Sequence, residues 1–183
     1  MNVRPTEIPD VLVVEPKVFG DARGFFFESF NRRRFEAAVG RTVDFVQDNH
    51  SLSARGVLRG LHYQLPHPQA KLVRVVRGEV FDVAVDLRRR SATFGKWTGQ
   101  VLTAANKCQL WIPEGFAHGF LVLSEEAEFL YKTTDYWHPE HERCIRWDEP
   151  ALGIAWPTTG RAPVVSPKDV AGKTLAEAEL FEM

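Results

Sequence analysis

His62, Gln64 and Lys71 stand close together in the chain, with Arg59 just ahead of them and a second imidazole, His118, further on. Imidazole is the side chain best suited to take and return protons near neutral pH. A cation beside it stabilises the anion formed when a proton leaves carbon. Two imidazoles, an amide and an ammonium make a poor divalent-metal set. The ammonium repels the ion, and good ligands are anionic or neutral donors. The donor set therefore predicts proton-transfer chemistry with no metal and no cofactor. A lone histidine is ordinarily a satisfied core residue. A histidine grouped with Arg59, Gln64 and Lys71 inside an apolar barrel is costly to bury unless the group is used.

These residues need strands to aim them. Residues two apart on a strand share a face. If Leu61–Gln64 is extended, His62 and Gln64 point the same way, as do Lys71, Val73 and Val75 on the next strand. Arg59 lies an odd number of positions from His62. It joins that face only if Gly60 carries a bulge or bend, which glycine permits. Tyr131 shares a face with Phe129 and Thr133, where it is either a packed core tyrosine or a phenol placed to donate a proton.

Short apolar or alternating runs separated by turn signals dominate the chain. Strands are expected at Val11–Glu15, Gly24–Phe30, Leu72–Val76, Val80–Asp86, Gly99–Thr103, Gln109–Ile112, His118–Val122 and Ala127–Thr133. Leu72–Arg77 and Glu79–Asp86 read as a hairpin. Arg32–Val39 reads as a short helix capped by Asn31 and ended by Gly40. Thr174–Phe181 reads as a C-terminal helix, with Thr174 and Glu177 spaced as a capping box. Many short strands with few helices predict an all-β jelly roll in one domain, residues 1–183. Gly56, His62 and Gly78 keep the spacing of a cupin-type barrel motif. Gln64 takes the place of its second histidine and Lys71 that of its carboxylate. Pro113-Glu114-Gly115-Phe116-Ala117-His118 resembles its second half.

The 183 residues suffice for a sizeable core, and 23 basic residues nearly balance 24 acidic ones. That balance argues against bulk binding to nucleic acid or to an anionic membrane. Arg32-Arg33-Arg34 and Arg88-Arg89-Arg90 then read as solvated surface. Two cysteines, Cys108 and Cys144, are too few for a disulfide framework and predict free thiols in the cytoplasm. Residues 1–10 do not read as a signal peptide, and no apolar run is long enough to span a bilayer. In Gly24-Phe25-Phe26-Phe27-Glu28, three successive rings cannot all face one core. At least one needs cover from a partner subunit or from another part of the chain.

Taken in order, the motifs resemble one family, the dTDP-4-dehydrorhamnose 3,5-epimerases, also called dTDP-6-deoxy-D-xylo-4-hexulose 3,5-epimerases. The resemblance spans nearly the whole chain. It is carried by Gly20-Asp21-Ala22-Arg23-Gly24-Phe25-Phe26, Val46-Gln47-Asp48-Asn49-His50-Ser51 and Gly56-Val57-Leu58-Arg59-Gly60-Leu61-His62-Tyr63-Gln64. It continues in Lys71-Leu72-Val73-Arg74, Pro113-Glu114-Gly115-Phe116-Ala117-His118, Tyr131-Lys132-Thr133-Thr134-Asp135-Tyr136, Pro139-Glu140-His141-Glu142-Arg143 and Ser166-Pro167-Lys168-Asp169.

The resemblance implies a homodimer of jelly-roll subunits acting on a dTDP-4-keto-6-deoxyhexose. It implies His62 as proton acceptor, Tyr131 as proton donor, Asp169 as the acid that orients His62, and Lys71 beside the 4-keto oxygen. Arg59 matches a diphosphate ligand. Gln47, Asp48 and Asn49 match a substrate-binding segment, and His118, Glu142 and Lys168 match further substrate contacts. Arg23, Phe26 and Glu28 match an N-terminal strand lent across the dimer. Family members commonly carry a second tyrosine after Tyr136, stacked on the thymine. Trp137 stands there in this chain, keeping a π face and losing the hydroxyl. Three other readings share the fold: an epimerase acting on C3 or C5 alone, a 3,4-ketoisomerase, and a non-catalytic module that binds the sugar nucleotide.

Overall fold

A computed structural model describes residues 1–183. In chain order the strands are β1 (Asn2–Pro5), β2 (Leu12–Glu15), β3 (Val18–Asp21), β4 (Gly24–Phe27), β5 (Gln47–Ala54), β6 (Val57–Gln64) and β7 (Lys71–Arg77). They continue with β8 (Glu79–Asp86), β9 (Trp97–Thr103), β10 (Gln109–Ile112), β11 (Phe116–Val122), β12 (Glu126–Thr133), β13 (Glu142–Cys144) and β14 (Val164–Val165). Two helices, α1 (Arg32–Val39) and α2 (Pro167–Val170), and one short 3₁₀ turn (Pro139–His141) complete the chain. No helix is long and apolar enough to cross a membrane.

The strands form two main sheets, ordered β1-β2-β10-β7-β12-β5 and β13-β6-β11-β8-β9, with β14 added to β6. The expected jelly roll is the architecture found. Its core lies between the sheets. Val73, Val75, Leu110, Ile112 and Phe129 of the first sheet pack against Val80, Ala84, Leu102, Phe116 and Phe120 of the second. Phe120 and Phe129 stack across it with ring centroids 4.2 Å apart. The outer faces are covered as well. Phe35 of α1 packs on Leu72 and Trp111, and the C-terminal Leu180 and Phe181 pack with Leu61, Tyr63, Val83 and Val85. Burial on both faces explains the apolar run Leu110-Trp111-Ile112 in β10.

Helix α1 forms as expected: the Asn31 side chain accepts from the Arg34 N–H, and Gly40 closes the helix at φ 73°. Three expectations need correction. The Leu72–Arg77/Glu79–Asp86 hairpin does not form. β7 pairs with β10 and β12, whereas β8 pairs with β9 and β11. Gly78, at φ 76°, turns the chain from one sheet to the other. The Thr174–Phe181 helix is also absent. Thr174 bonds Glu177 as the capping pattern requires, but the chain makes only a turn there. Phe181 instead bridges to Arg88 and buries its ring, so tertiary burial overrides a segment too short to nucleate a helix alone. Finally, β4 ends at Phe27 rather than Phe30, and it pairs only with β3, outside both main sheets.

The β6–β11 pairing settles the odd spacing of Arg59 and His62. His118 faces His62 and Phe120 faces Arg59, so Gly60 and Leu61 lie opposite the single residue Gly119. That is the bulge the sequence requires. Gly60 sits at φ 121°, and a Cβ there would lie 2.6 Å from the Gly119 Cα. Gly40 also has a positive φ but nothing within 4 Å of a Cβ. Gly60→Ala is therefore expected to cost about 2–3 kcal/mol, against roughly 1 kcal/mol for Gly40→Ala. Urea denaturation midpoints of the two variants check the difference; equal losses would mean that close backbone approach at Gly60 contributes nothing.

Candidate active site

The open end of the barrel holds a cavity of about 670 Å³, walled by β5, β7 and β12 on one side and β6, β11 and β13 on the other. That volume suits a small-molecule ligand. His62 on β6, Tyr131 on β12, Lys71 on β7, His118 on β11 and Asp169 on α2 all line it, together with Asn49, Arg59, Gln64, Trp137, Glu142 and Lys168. His62 and Tyr131 therefore approach the cavity from opposite sheets.

Asp169 holds His62. The ring Nε2–H donates to Asp169 Oδ1 at 2.6 Å, and the Gly60 N–H donates to Oδ2 at 3.3 Å. Ser166 caps α2 by accepting from the Asp169 N–H at 3.2 Å, which fixes the carboxylate's position. Asp169 is only 3% exposed. Burial pushes its carboxyl up, but the bonds and charge from His62, the Gly60 N–H and Ser166 outweigh this and hold it below the usual carboxylate range. With Nε2 as donor, Nδ1 is the nitrogen able to take a proton.

Lys71 is the unusual group. It is 8% exposed, reaches from β7 towards the opposite sheet, and donates from Nζ only to the His62 carbonyl at a long 3.5 Å. No carboxylate pairs with it directly. Desolvation lowers it to about 8, opposed by the charges of Glu142 and Asp82. Tyr131 is raised, first by desolvation and then by Glu142, so the phenol keeps its proton.

A second histidine–carboxylate pair lies deeper. His118 Nε2 donates to Asp82 at 2.9 Å. Desolvation lowers His118 and raises Asp82. Asp82 was missing from the sequence reading. Its signal was available, since Val80, Asp82 and Ala84 alternate onto the inner face of β8 and place a carboxylate among core residues.

At the mouth, Trp137 donates from its indole to Glu142 Oε2 at 3.1 Å and from its backbone to Gln47 at 3.0 Å. Lys168 pairs with the same Glu142 oxygen. Burial raises Glu142, but Lys168, Trp137 and the His62 charge bring it below its usual range. Arg59 is steadied by Ser53 at 3.0 Å. Gln47 braces Asn49 and Trp137 without lining the cavity itself. Asp48 does not line this cavity: alternation turns it to the other face of β5, where it pairs with Lys132 at 2.9 Å. Arg23, Phe26 and Glu28 do not reach the cavity of their own chain. Arg23 bonds Asp21, and Glu28 bonds Asn31 and Arg34. Phe26 is 72% exposed.

The family model for dTDP-4-dehydrorhamnose 3,5-epimerase matches residues 5–177. The chain belongs to the dTDP-4-dehydrorhamnose 3,5-epimerase family. A Pseudomonas aeruginosa dTDP-4-dehydrorhamnose 3,5-epimerase is 67% identical over 99% of both chains. A Legionella pneumophila dTDP-6-deoxy-D-glucose-3,5-epimerase, solved with dTDP-4-keto-L-rhamnose, superposes with a TM-score of 0.96 at 53% identity, covering 100% of this chain and 98% of that one. A 3′-monoepimerase from Streptomyces bikiniensis, solved with dTDP-quinovose, shares the fold at TM-score 0.88 but only 35% identity, covering 94% of this chain and 87% of that one. Membership makes the chain an isomerase, a 3,5-epimerase of the dTDP-L-rhamnose route.

The titration of Lys71 has a definite sign. Its pKa is near 10.5 unfolded and about 8 folded. Between those values the unfolded state holds more protons, so the Lys71 contribution to stability rises with pH across that window. Its burial costs on the order of 3 kcal/mol below pH 8. Lys71→Met removes this dependence. The stability difference between variant and wild type should shift by up to about 3 kcal/mol in favour of wild type between pH 7 and pH 10. Urea unfolding at both pH values measures it; an unchanged difference would mean Lys71 titrates as an exposed lysine.

Proposed function

We propose that His62 is the base and Tyr131 the acid of a 3,5-epimerisation of dTDP-4-dehydro-6-deoxy-D-glucose. The 4-keto group makes the C3 and C5 hydrogens acidic because loss of either gives an enolate. His62 Nδ1 takes the proton, and Asp169 stabilises the imidazolium and fixes the tautomer. The Lys71 ammonium stabilises the negative charge on O4, a type of contribution worth about 3 kcal/mol per group. Tyr131 then gives its phenolic proton to the opposite face of the same carbon, inverting it. Exchange with solvent returns a proton to Tyr131 and removes one from His62, readying both for the second carbon. Arg59 takes the diphosphate, and Trp137 offers its face to the thymine. Binding of the nucleotide holds the sugar in place while the proton moves.

One observation carries this reading: an oriented imidazole and a protonated phenol enter one cavity from opposite walls, beside a buried ammonium with no carboxylate of its own. A non-catalytic module has no need of such a costly cation. The lower identity to a monoepimerase than to 3,5-epimerases supports inversion at both carbons.

Incubation with dTDP-4-keto-6-deoxyglucose in D₂O, read by NMR, tests the assignment. Wild type should place deuterium at C3 and C5 and form the L-rhamno product. His62→Ala should lose exchange at both carbons by roughly two to four powers of ten. Tyr131→Phe should retain exchange from the His62 side while losing inverted product. Normal exchange in His62→Ala would remove His62 as the base.

We also infer a cytoplasmic homodimer that exchanges the β3–β4 arm, so that Arg23, Phe26 and Glu28 reach the nucleotide end of the partner's cavity. The free thiols Cys108 and Cys144 fit a reducing compartment. The arm stands outside both main sheets with Phe25 and Phe26 63% and 72% exposed, an apolar surface suited to a second copy. Phe26→Asp should shift sedimentation towards monomer and raise KM for the sugar nucleotide by about tenfold, more than it lowers kcat. A variant that stays dimeric with unchanged KM would refute the exchange.

A further inference from the structure

Half of the chain's six histidines gather at one surface site that the epimerisation does not use. His67 lies in the loop after β6, and His138 and His141 lie around the 3₁₀ turn after β12. The His67 ring stacks on His138 at 4.6 Å and on His141 at 5.3 Å between centroids. His67 Nδ1 is 3.2 Å from Asp135 Oδ2, and His138 Nε2 is 4.0 Å from Asp135 Oδ1. One donor atom from each of His67, Asp135 and His138 lies within 4.8 Å of the other two. Ligands at ~2.0 Å in a tetrahedral site stand roughly 3.3 Å apart, so the first pair already has the separation a bound ion requires.

The ligands are held from behind. Gln64, buried beneath them, donates to the His67 carbonyl at 2.8 Å and to the Tyr136 carbonyl at 3.1 Å, and accepts from the His138 N–H at 2.8 Å. One glutamine thus fixes the backbone of both histidines. The Tyr136 N–H donates to Asp135 Oδ1 at 2.7 Å, which turns Oδ2 towards His67. Such outer bonds are what orient metal ligands. His67 also sits at φ 65°, a conformation uncommon for a residue with a Cβ.

We propose that His67, Asp135 and His138 bind a divalent transition ion of the zinc, cobalt or nickel class, separate from the cavity. Two imidazoles and a carboxylate suit such ions and do not suit magnesium or calcium. His141 or water completes the coordination. None of these four side chains lines the cavity. The ion ties the loop after β6 to the loop after β12, and the latter carries Trp137 at the cavity mouth.

Chelator-treated full-length protein, titrated with Co²⁺ and then Zn²⁺ at pH 7.5, tests this by visible absorption and calorimetry. The expected result is one ion per chain with a Kd of roughly a micromolar, with no binding of Mg²⁺. His67→Ala, His138→Ala and the isosteric Asp135→Asn should each weaken binding by about tenfold or more, while Cys144→Ala leaves it unchanged. Cys144 reports on the other ligand cluster, His62–Cys144–Asp169. Absence of Co²⁺ and Zn²⁺ binding overturns the proposal. So does binding that survives the surface variants but is lost in Cys144→Ala, which would place the ion on the His62 dyad.

Discussion

The bulge at Gly60 is the constraint on which the cavity depends. On a regular strand, Arg59 and His62 would project from opposite faces. The extra residue opposite Gly119 brings both to the cavity side. The same glycine donates its N–H to Asp169, the carboxylate that holds the His62 ring. One local irregularity therefore sets side-chain direction, strand pairing and the tautomer of the imidazole. It demands glycine on both strands, because Gly60 and Gly119 approach too closely for a Cβ on either.

Around that point the barrel accepts charges that a core built for stability would exclude. Lys71 and the Asp82–His118 pair occupy inner-face positions on β7, β8 and β11. An aliphatic side chain there would pack without desolvating an ion. Asp82 and His118 satisfy each other. Lys71 is left with a long bond to a carbonyl and the more distant attraction of two carboxylates. Its ammonium is thus available to an anion arriving in the cavity, and its lowered pKa is the physical trace of that arrangement.

The cavity mouth is held by a few polar crosslinks rather than by packing. Gln47 and Glu142 hold the two ends of Trp137, Lys168 neutralises Glu142, and Gln64 anchors the following loop. Loops so tethered can present a flat aromatic face without a hydrophobic seat of their own. The exposed β3–β4 arm is the opposite case: an apolar surface that its own chain covers only with the Lys17 and Lys107 ammonium groups.

Asp169 and the donor role of Tyr131 were implied only by the family resemblance, whereas residue type and alternation alone determined the all-β class, most strands, helix α1, and the grouping of His62 with Arg59, Gln64 and Lys71. These are legible because strand period and donor chemistry are local properties of the chain. Three other features were not. The β7–β8 crossover looked like a hairpin because a short turn between apolar runs has the same pattern whether the chain returns to its own sheet or enters the facing one. β5 was hidden because Gln47–Ala54 is polar on both faces and its pairing partner lies far away in sequence. The pairing of Asp82 with His118, and the gathering of His67, Asp135 and His138, became visible only when distant segments met. Which buried charges find partners, and which are left facing a cavity, depends on long-range packing that no window of sequence contains.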